Sequence, residues 1–411
     1  MLNRREFFKT AAGGLLLVGT GPLLQRIAFA ATALPEPGEL PSGTLESALL
    51  EALPGKLPLI KRTYRPPNFE TPLDYFKEAL TPNQAFFVRY HLANIPAVNA
   101  AQWKLKVGGE AVQTPLELTL DDLKNHFEQV EITAVCQCSG NRRGLFQPYI
   151  PGVQWGYGAM GNARWKGVRL RDVLNQAGIN KDALEVVLDG ADRGVLDKTP
   201  DFVKSLPVWK ALDENTLLAF AMNSEPLPHW NGYPARVVVP GWSATYWLKQ
   251  LNSINVVTRP FDGFWMKTAY RIPKGKFPVV DRFISQETEA NIPITEILVN
   301  SLITSLTEGQ QFKRGQPVDV AGVAWDGGYG IQRVDVSTDS GKNWQEARLG
   351  EDLGRFAWRQ WRFNFAPPAP GKLTIMARAT NRIGTTQTFE LILNPSGYNH
   401  NVVQKINIEV V

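Results

Sequence analysis

The chain has 411 residues, 44% of them hydrophobic and 20% charged, which is enough to bury two compact cores and too long for most single domains. Its formal net charge is +5, and Arg4, Arg5, Lys9 and Arg26 against Glu6 account for +3 of that, so the rest of the chain carries little excess and no basic run. That balance argues against nucleic acid as a partner, and two cysteines with four scattered histidines argue against a zinc site built from protein ligands alone.

The N-terminus reads Asn3-Arg4-Arg5-Glu6-Phe7-Phe8-Lys9, continues through a small, apolar run from Ala11 to Leu17, and reaches Ala28-Phe29-Ala30, a small-x-small cleavage pattern. This is the layout of a signal peptide over residues 1–30. The paired arginines ahead of Phe7 and Phe8 resemble the twin-arginine class, whose cargo crosses already folded, often with a cofactor inside. The run is too brief and too broken by Gly and Pro for a membrane anchor. A periplasmic protein with no membrane insertion after export is the expectation. Residues 31–65, rich in Pro, Leu and Glu, are expected to form an extended lead-in without a motif.

From residue 66 to 285 short strands mix with helices. Trp103-Lys104-Leu105-Lys106-Val107 predicts a strand, Thr119 to Phe127 a helix capped by Thr119, and Leu170 to Ala177 a second helix ended by Gly178. Glu185 to Leu188 and Ala235 to Val239 return to β-branched strands, so this half is α+β. Over residues 286–411 the pattern alternates, in Val318 to Val323, Arg333 to Ser337 and Leu373 to Arg378. Asp339-Ser340-Gly341 predicts a hairpin turn and Pro367 to Gly371 a loop. Many short strands in this span predict an all-β, immunoglobulin-like sandwich.

The chemistry concentrates at Cys136-Gln137-Cys138-Ser139-Gly140-Asn141-Arg142-Arg143, where a thiol lies beside a glycine turn and two arginines that favour its thiolate. Two cysteines one residue apart would close a strained ring, so a structural disulfide is not expected. If a metal binds, most of its ligands must come from a cofactor.

Cys138-Ser139-Gly140-Asn141-Arg142-Arg143 resembles the C-x-G-N-R-R segment of the sulfite oxidase family of molybdenum enzymes, and the likeness is nearest to the molybdenum subunits of bacterial periplasmic sulfite dehydrogenases. Further stretches match in the same order. Phe86-Phe87-Val88-Arg89-Tyr90-His91-Leu92 resembles the segment that passes beside the metal and the pterin. Trp155 with Gly158 to Val168, and Asn223 to Pro228 with Gly232 to Gly241, resemble two others. The resemblance implies a mixed α/β molybdopterin domain followed by an immunoglobulin-like dimerisation domain, with one molybdenum-molybdopterin cofactor per chain. It makes Cys138 the metal ligand and leaves Cys136 an ordinary buried residue.

By the same resemblance Arg89 and Arg143 bind a small dianion, since a guanidinium forks onto paired oxygens. Tyr270 stands beside the metal on the electron route. Trp155 either walls the pocket or is a core aromatic, and His91 either tunes the site or satisfies a buried hydrogen bond. Arg236 and Lys249 are the candidates for the cofactor's phosphate, with Trp247 and Leu248 beside them, Asp192 for the pterin ring nitrogens, and Val88, Tyr90, Leu92 and Asn231 for further contacts. Two departures stand out. Asn231 occupies a position where relatives carry histidine, and Leu393-Asn394-Pro395-Ser396-Gly397 lacks an arginine they supply to the anion site.

The implied activity is oxidation of sulfite to sulfate by oxygen transfer at molybdenum. The chain has no C-x-x-C-H haem attachment, so electrons are expected to leave singly to an external c-type cytochrome or haem subunit. A homodimer or a heterodimer with such a subunit follows. The alternatives are a periplasmic molybdenum-dependent reductase of a sulfoxide-type substrate, and a non-catalytic exported binding module.

Overall fold

The computed structural model describes residues 49–275 and 287–411. The signal peptide expected over residues 1–30 lies outside them, as do the first part of the lead-in and the boundary expected at residues 285 and 286. Among the described residues no helix is long and apolar enough to cross a membrane.

Local chemistry sets the helices. The Thr119 hydroxyl accepts from the Asp122 N–H at 3.1 Å while the Asp122 carboxylate accepts from the Thr119 N–H at 2.8 Å, a reciprocal cap that starts the helix Leu120–His126. The second helix, Leu170–Ala177, stops at Gly178, whose φ of 68° suits glycine.

Two five-element sheet systems build the first half. One runs in the order Val203–Pro207, Glu185–Gly190, Leu251–Val257, Lys104–Gly108, Leu116–Thr119, with a single parallel pairing between Leu251–Val257 and Lys104–Gly108. The other orders Glu225–Pro226, Leu217–Met222, Met160–Arg169 and Gln129–Gln137, and Arg236–Val238 pairs with Leu217–Met222 off that path. Their shared core includes Trp165, Val168, Leu188, Leu218, Val237 and Ile254. At Gly167 a Cβ would sit 2.1 Å from the Leu218 carbonyl oxygen and 2.6 Å from the Ala219 Cα, so only glycine lets these strands approach. Gly167→Ala is expected to cost roughly 1–3 kcal/mol through overpacking; a thermal unfolding midpoint equal to wild type would contradict this.

The lead-in is more than an extended wrap. From Leu50 it enters a four-stranded sheet, Leu50–Glu51, Leu59–Thr63, Asn68–Glu70, Val88–Arg89, and Leu59 and Ile60 are buried. The physical reason is the small apolar cluster of Leu53, Leu59, Phe69, Val88 and Tyr90, which this sheet closes.

The second half is the expected sandwich. Asn300–Ile303, Val318–Trp325, Arg359–Phe365 and Arg348–Leu349 form one sheet, and Gln310–Phe312, Gln404–Val410, Gly371–Asn381, Ile331–Ser337 and Gln345–Glu346 the other. Val318, Val320 and Trp361 meet Val334, Val336, Ile375 and Ile408 between them. A separate cluster joins the halves. Phe76, Val135 and Met160 pack with Trp325 and Trp358, whose indole N–H groups donate to Gln137 Oε1 at 2.6 Å and the Ala79 carbonyl at 2.8 Å.

Candidate active site and cofactor recess

Antiparallel pairing of Asn68 with Arg89 delivers the arginine to the site and gives it a clamp. Arg89 Nη1 donates to Asn68 Oδ1 at 3.1 Å and to the Tyr90 carbonyl, and Nη2 faces the Tyr270 hydroxyl at 3.5 Å. His91 Nε2 contacts the same hydroxyl, and its ring stacks on Phe202 with centroids 3.7 Å apart. Burial, with Arg89, Lys249 and Lys204 acting in the same direction, holds the His91 imidazole well below its usual range, so it is neutral. Burial raises the Tyr270 phenol against the opposing pull of Arg89, so it keeps its proton. Tyr270 also sits at φ 60°, a left-handed conformation that is strained for a non-glycine residue and is held here by its surroundings.

Cys138 follows the strand Gln129–Gln137 at the start of a tight turn. Its N–H donates to the Ala159 carbonyl at 2.9 Å, its carbonyl accepts from Asn141 at 3.0 Å, and Asn141 Oδ1 accepts from the Ala159 N–H at 3.1 Å. The thiol is free and buried. Arg143 is tied down by its Nε to the Ser396 carbonyl at 2.8 Å and by Nη1 to the Val153 carbonyl at 3.0 Å, with its guanidinium 5.3 Å from the Tyr398 ring. A Cβ at Gly140 would lie 2.4 Å from Arg143 Nη2, which explains the glycine in the motif. Tyr398 in turn stacks on Tyr270, with ring centroids 5.4 Å apart at 8°.

Arg89, His91, Cys138, Tyr270, Asn231, Arg236, Trp247 and Lys249 line one recess of about 510 Å³, counting space open to solvent, together with Phe86, Phe87 and Phe202. All eight are residues that the sequence singled out, and the structure brings them to one recess. Val88, Tyr90, Leu92 and Leu248 instead place their side chains in the surrounding core, and Asp192 is buried beside Lys249 without lining the recess. Arg143 stands behind Tyr398 rather than in the wall. Trp155 does not line the recess: it is fully buried against the Cys138 turn, where its carbonyl accepts from Gly144 at 2.9 Å, because a motif match fixes a residue's identity and not its direction. Cys136 is buried in the core, as the resemblance implied. Two positions before Cys138, it points into the same recess, and burial, opposed by Arg236, pushes its thiol up to about 11.

The recess carries unbalanced positive charge. Arg236 is buried, donating to the Asn231 carbonyl at 2.9 Å and the Trp247 carbonyl at 2.8 Å, while its Nε has no partner among the described residues. Lys249 lies 4.2 Å over the Tyr90 ring, and burial followed by Arg236 pushes its ammonium down to about 7. Asn231 uses its side-chain oxygen to accept from buried Lys56, which also donates to the Asn83 and Phe86 carbonyls at 2.7 and 3.0 Å. Lys56 was missed because a Pro-rich lead-in shows no period that marks a buried lysine. Among the described residues none of Arg89, Arg143, Lys204, Arg236 or Lys249 has a carboxylate within ion-pair distance. Such a pocket fits a phosphate-bearing organic group. No cluster of three or more His, Cys, Asp or Glu ligands occurs among the described residues, so a metal at Cys138 needs other donors from that group.

Comparison with known proteins agrees. Residues 91–265 match the oxidoreductase molybdopterin binding domain and residues 291–411 the Mo-co oxidoreductase dimerisation domain. The fold is thus that of a molybdopterin oxidoreductase. Mitochondrial sulfite oxidase of Rattus norvegicus is 35% identical over 362 residues, covering 84% of this chain and 65% of that protein. Sulfite oxidase of Gallus gallus is 35% identical over 333 residues, covering 77% and 70%. The chain therefore spans under two thirds of the rat protein's length and somewhat more of the chicken one. The sulfane dehydrogenase SoxCD of Paracoccus pantotrophus superposes with a TM-score of 0.73 at 23% identity, covering 94% of this chain and 93% of that one, and so shares the fold. This chain belongs to the sulfite oxidase family of molybdenum enzymes.

Proposed function

We propose that the protein is a sulfite dehydrogenase, oxidising sulfite to sulfate and passing electrons singly to an external c-type cytochrome. The observation that carries this reading is the meeting of Arg89, His91, Tyr270 and the Cys138 thiol in one recess. Arg236, Lys249, Asn231 and Trp247 would hold the molybdenum cofactor, with Cys138 as its protein ligand. Bound there, the cofactor supplies a two-electron redox centre competent for oxygen-atom transfer.

The chain's own residues bind and orient the substrate. Arg89 presents a permanent cation to a dianion, and Asn68 fixes the plane of the guanidinium. Protonated Tyr270 offers its hydroxyl to a substrate oxygen while neutral His91 holds that hydroxyl in place. Phe86, Phe87 and Phe202 narrow the recess and exclude water, which strengthens each of these interactions. Arg143, fixed by Ser396 and stacked on Tyr398, adds positive field from behind and rigidifies the Cys138 turn.

The same reading places the protein in the periplasm after twin-arginine export, as a homodimer or paired with a haem subunit. The test is to purify the exported protein, measure molybdenum, and follow sulfite-dependent reduction of cytochrome c, with light scattering for the oligomeric state. A molybdenum-replete preparation inert toward sulfite would overturn the substrate assignment.

A further inference from the structure

Lys204 lies on the strand Val203–Pro207 and is fully buried. Its ammonium has three donors. One goes to the Trp265 carbonyl at 2.6 Å, and the charge otherwise faces two aromatic rings, Tyr246 at 4.7 Å and Tyr270 at 5.2 Å from the ring centroids. No carboxylate lies within ion-pair distance of it among the described residues. A lysine buried without a counter-ion is costly, and two ring faces with one carbonyl only partly offset that cost.

The position of the charge supplies a reason for it. The ring that the ammonium faces at 5.2 Å carries the hydroxyl that touches Arg89 and His91. Burial, with Arg271 acting in the same direction, holds the Lys204 ammonium well below its usual range, so its charge is favoured only when an anion seats nearby, and in a water-poor interior its field then reaches across that distance with little screening. An anion seated at Arg89 and Tyr270 would be its missing counter-charge.

We propose that Lys204 is an electrostatic member of the anion site, acting through its field from behind Tyr270 to select doubly charged oxyanions over singly charged ones. The proposal rests on the dianion reading of the recess. It makes Lys204 a positioning and specificity residue, since its own donors reach Trp265 and not the substrate.

The lysine also anchors the helical turn Phe264–Lys267 that leads into Tyr270, so charge and anchoring must be separated. Lys204→Gln keeps an N–H donor for the Trp265 carbonyl and removes the charge; Lys204→Met removes both. Sulfate and nitrate binding to the molybdenum-loaded protein are measured by calorimetry, alongside steady-state kinetics with sulfite. Because Coulomb energy scales with the charge product, sulfate affinity is expected to fall about tenfold or more in both variants, and nitrate affinity by about the square root of that factor. The sulfite KM rises with sulfate's loss while kcat changes by much less. Wild-type sulfate affinity in Lys204→Gln, or equal losses for sulfate and nitrate, would overturn the proposal, as would a loss confined to Lys204→Met, which marks anchoring alone. Sulfate binding requires no turnover, so a loaded protein that fails to oxidise sulfite defeats the functional reading while this charge dependence is still measured.

Discussion

Replacing Cys138 by Ser is expected to leave the protein folded while lowering sulfite turnover by on the order of 1,000-fold or more, because a soft thiolate donor gives way to a hard, poorly ionised hydroxyl at the metal. Folding should survive because the turn is built from main-chain bonds, Cys138 to Ala159 and Asn141 to Cys138, and the side chain changes little in volume. The cofactor should still be retained, since Arg236 and Lys249, which also line the recess, are untouched by the change. The measurement is threefold: thermal midpoint, molybdenum content, and X-ray absorption at the molybdenum edge, where one sulfur neighbour should be lost. The matching change at Cys136 is a sharp contrast. Its thiol is pushed up to about 11 and stays protonated, so Cys136→Ser should cost far less. Turnover by metal-loaded Cys138→Ser close to wild type would remove the metal-ligand assignment.

That contrast also shows what could be read from sequence and what could not. The sandwich strands were legible because one face meets solvent: Val318–Trp325 opens with buried, exposed, buried positions, and the alternation appears in the residues. The helices were legible from Thr119 and Gly178, whose roles are local. Met160–Arg169 was not legible as a strand, because its first four residues are buried on both faces and Gly161 and Gly167 interrupt it, which leaves only a brief alternation around Trp165. At the site, motifs named Arg89, Cys138, Tyr270 and Arg236, which the fold brings to one recess. They said nothing of Tyr398, which reaches Tyr270 from the second half of the chain through a stacking that no local pattern encodes. Lys204 did leave a signal. Phe202, Lys204 and Leu206 share a strand face, and a lone lysine between two buried apolar residues is expected either to be paired or to be functional.

Arg89→Gln is expected to lower kcat/KM for sulfite by roughly 100- to 1,000-fold, since a charged hydrogen bond in a partly desolvated site is worth about 1.5–3 kcal/mol and the loss of the charge adds to it. Most of the loss should fall on KM, because Arg89 holds the dianion in ground and transition states alike. A smaller fall in kcat should accompany it, since Arg89 also faces the Tyr270 hydroxyl at 3.5 Å and its removal frees that group. Sulfate should inhibit the variant more weakly by about the factor that KM rises. Arg89→Lys restores the charge but cannot both satisfy Asn68 Oδ1 and fork onto paired oxygens, so it should recover only part of the affinity. Asn68→Ala makes the converse test, leaving the charge and releasing the clamp. If orientation matters, it raises the sulfite KM while the sulfite KM of Arg89→Gln, with no guanidinium to orient, is insensitive to the same change. An unaltered sulfite KM in Arg89→Gln would mean that the anion seats elsewhere in the recess, and the roles given to Tyr270 and Lys204 would fall with it.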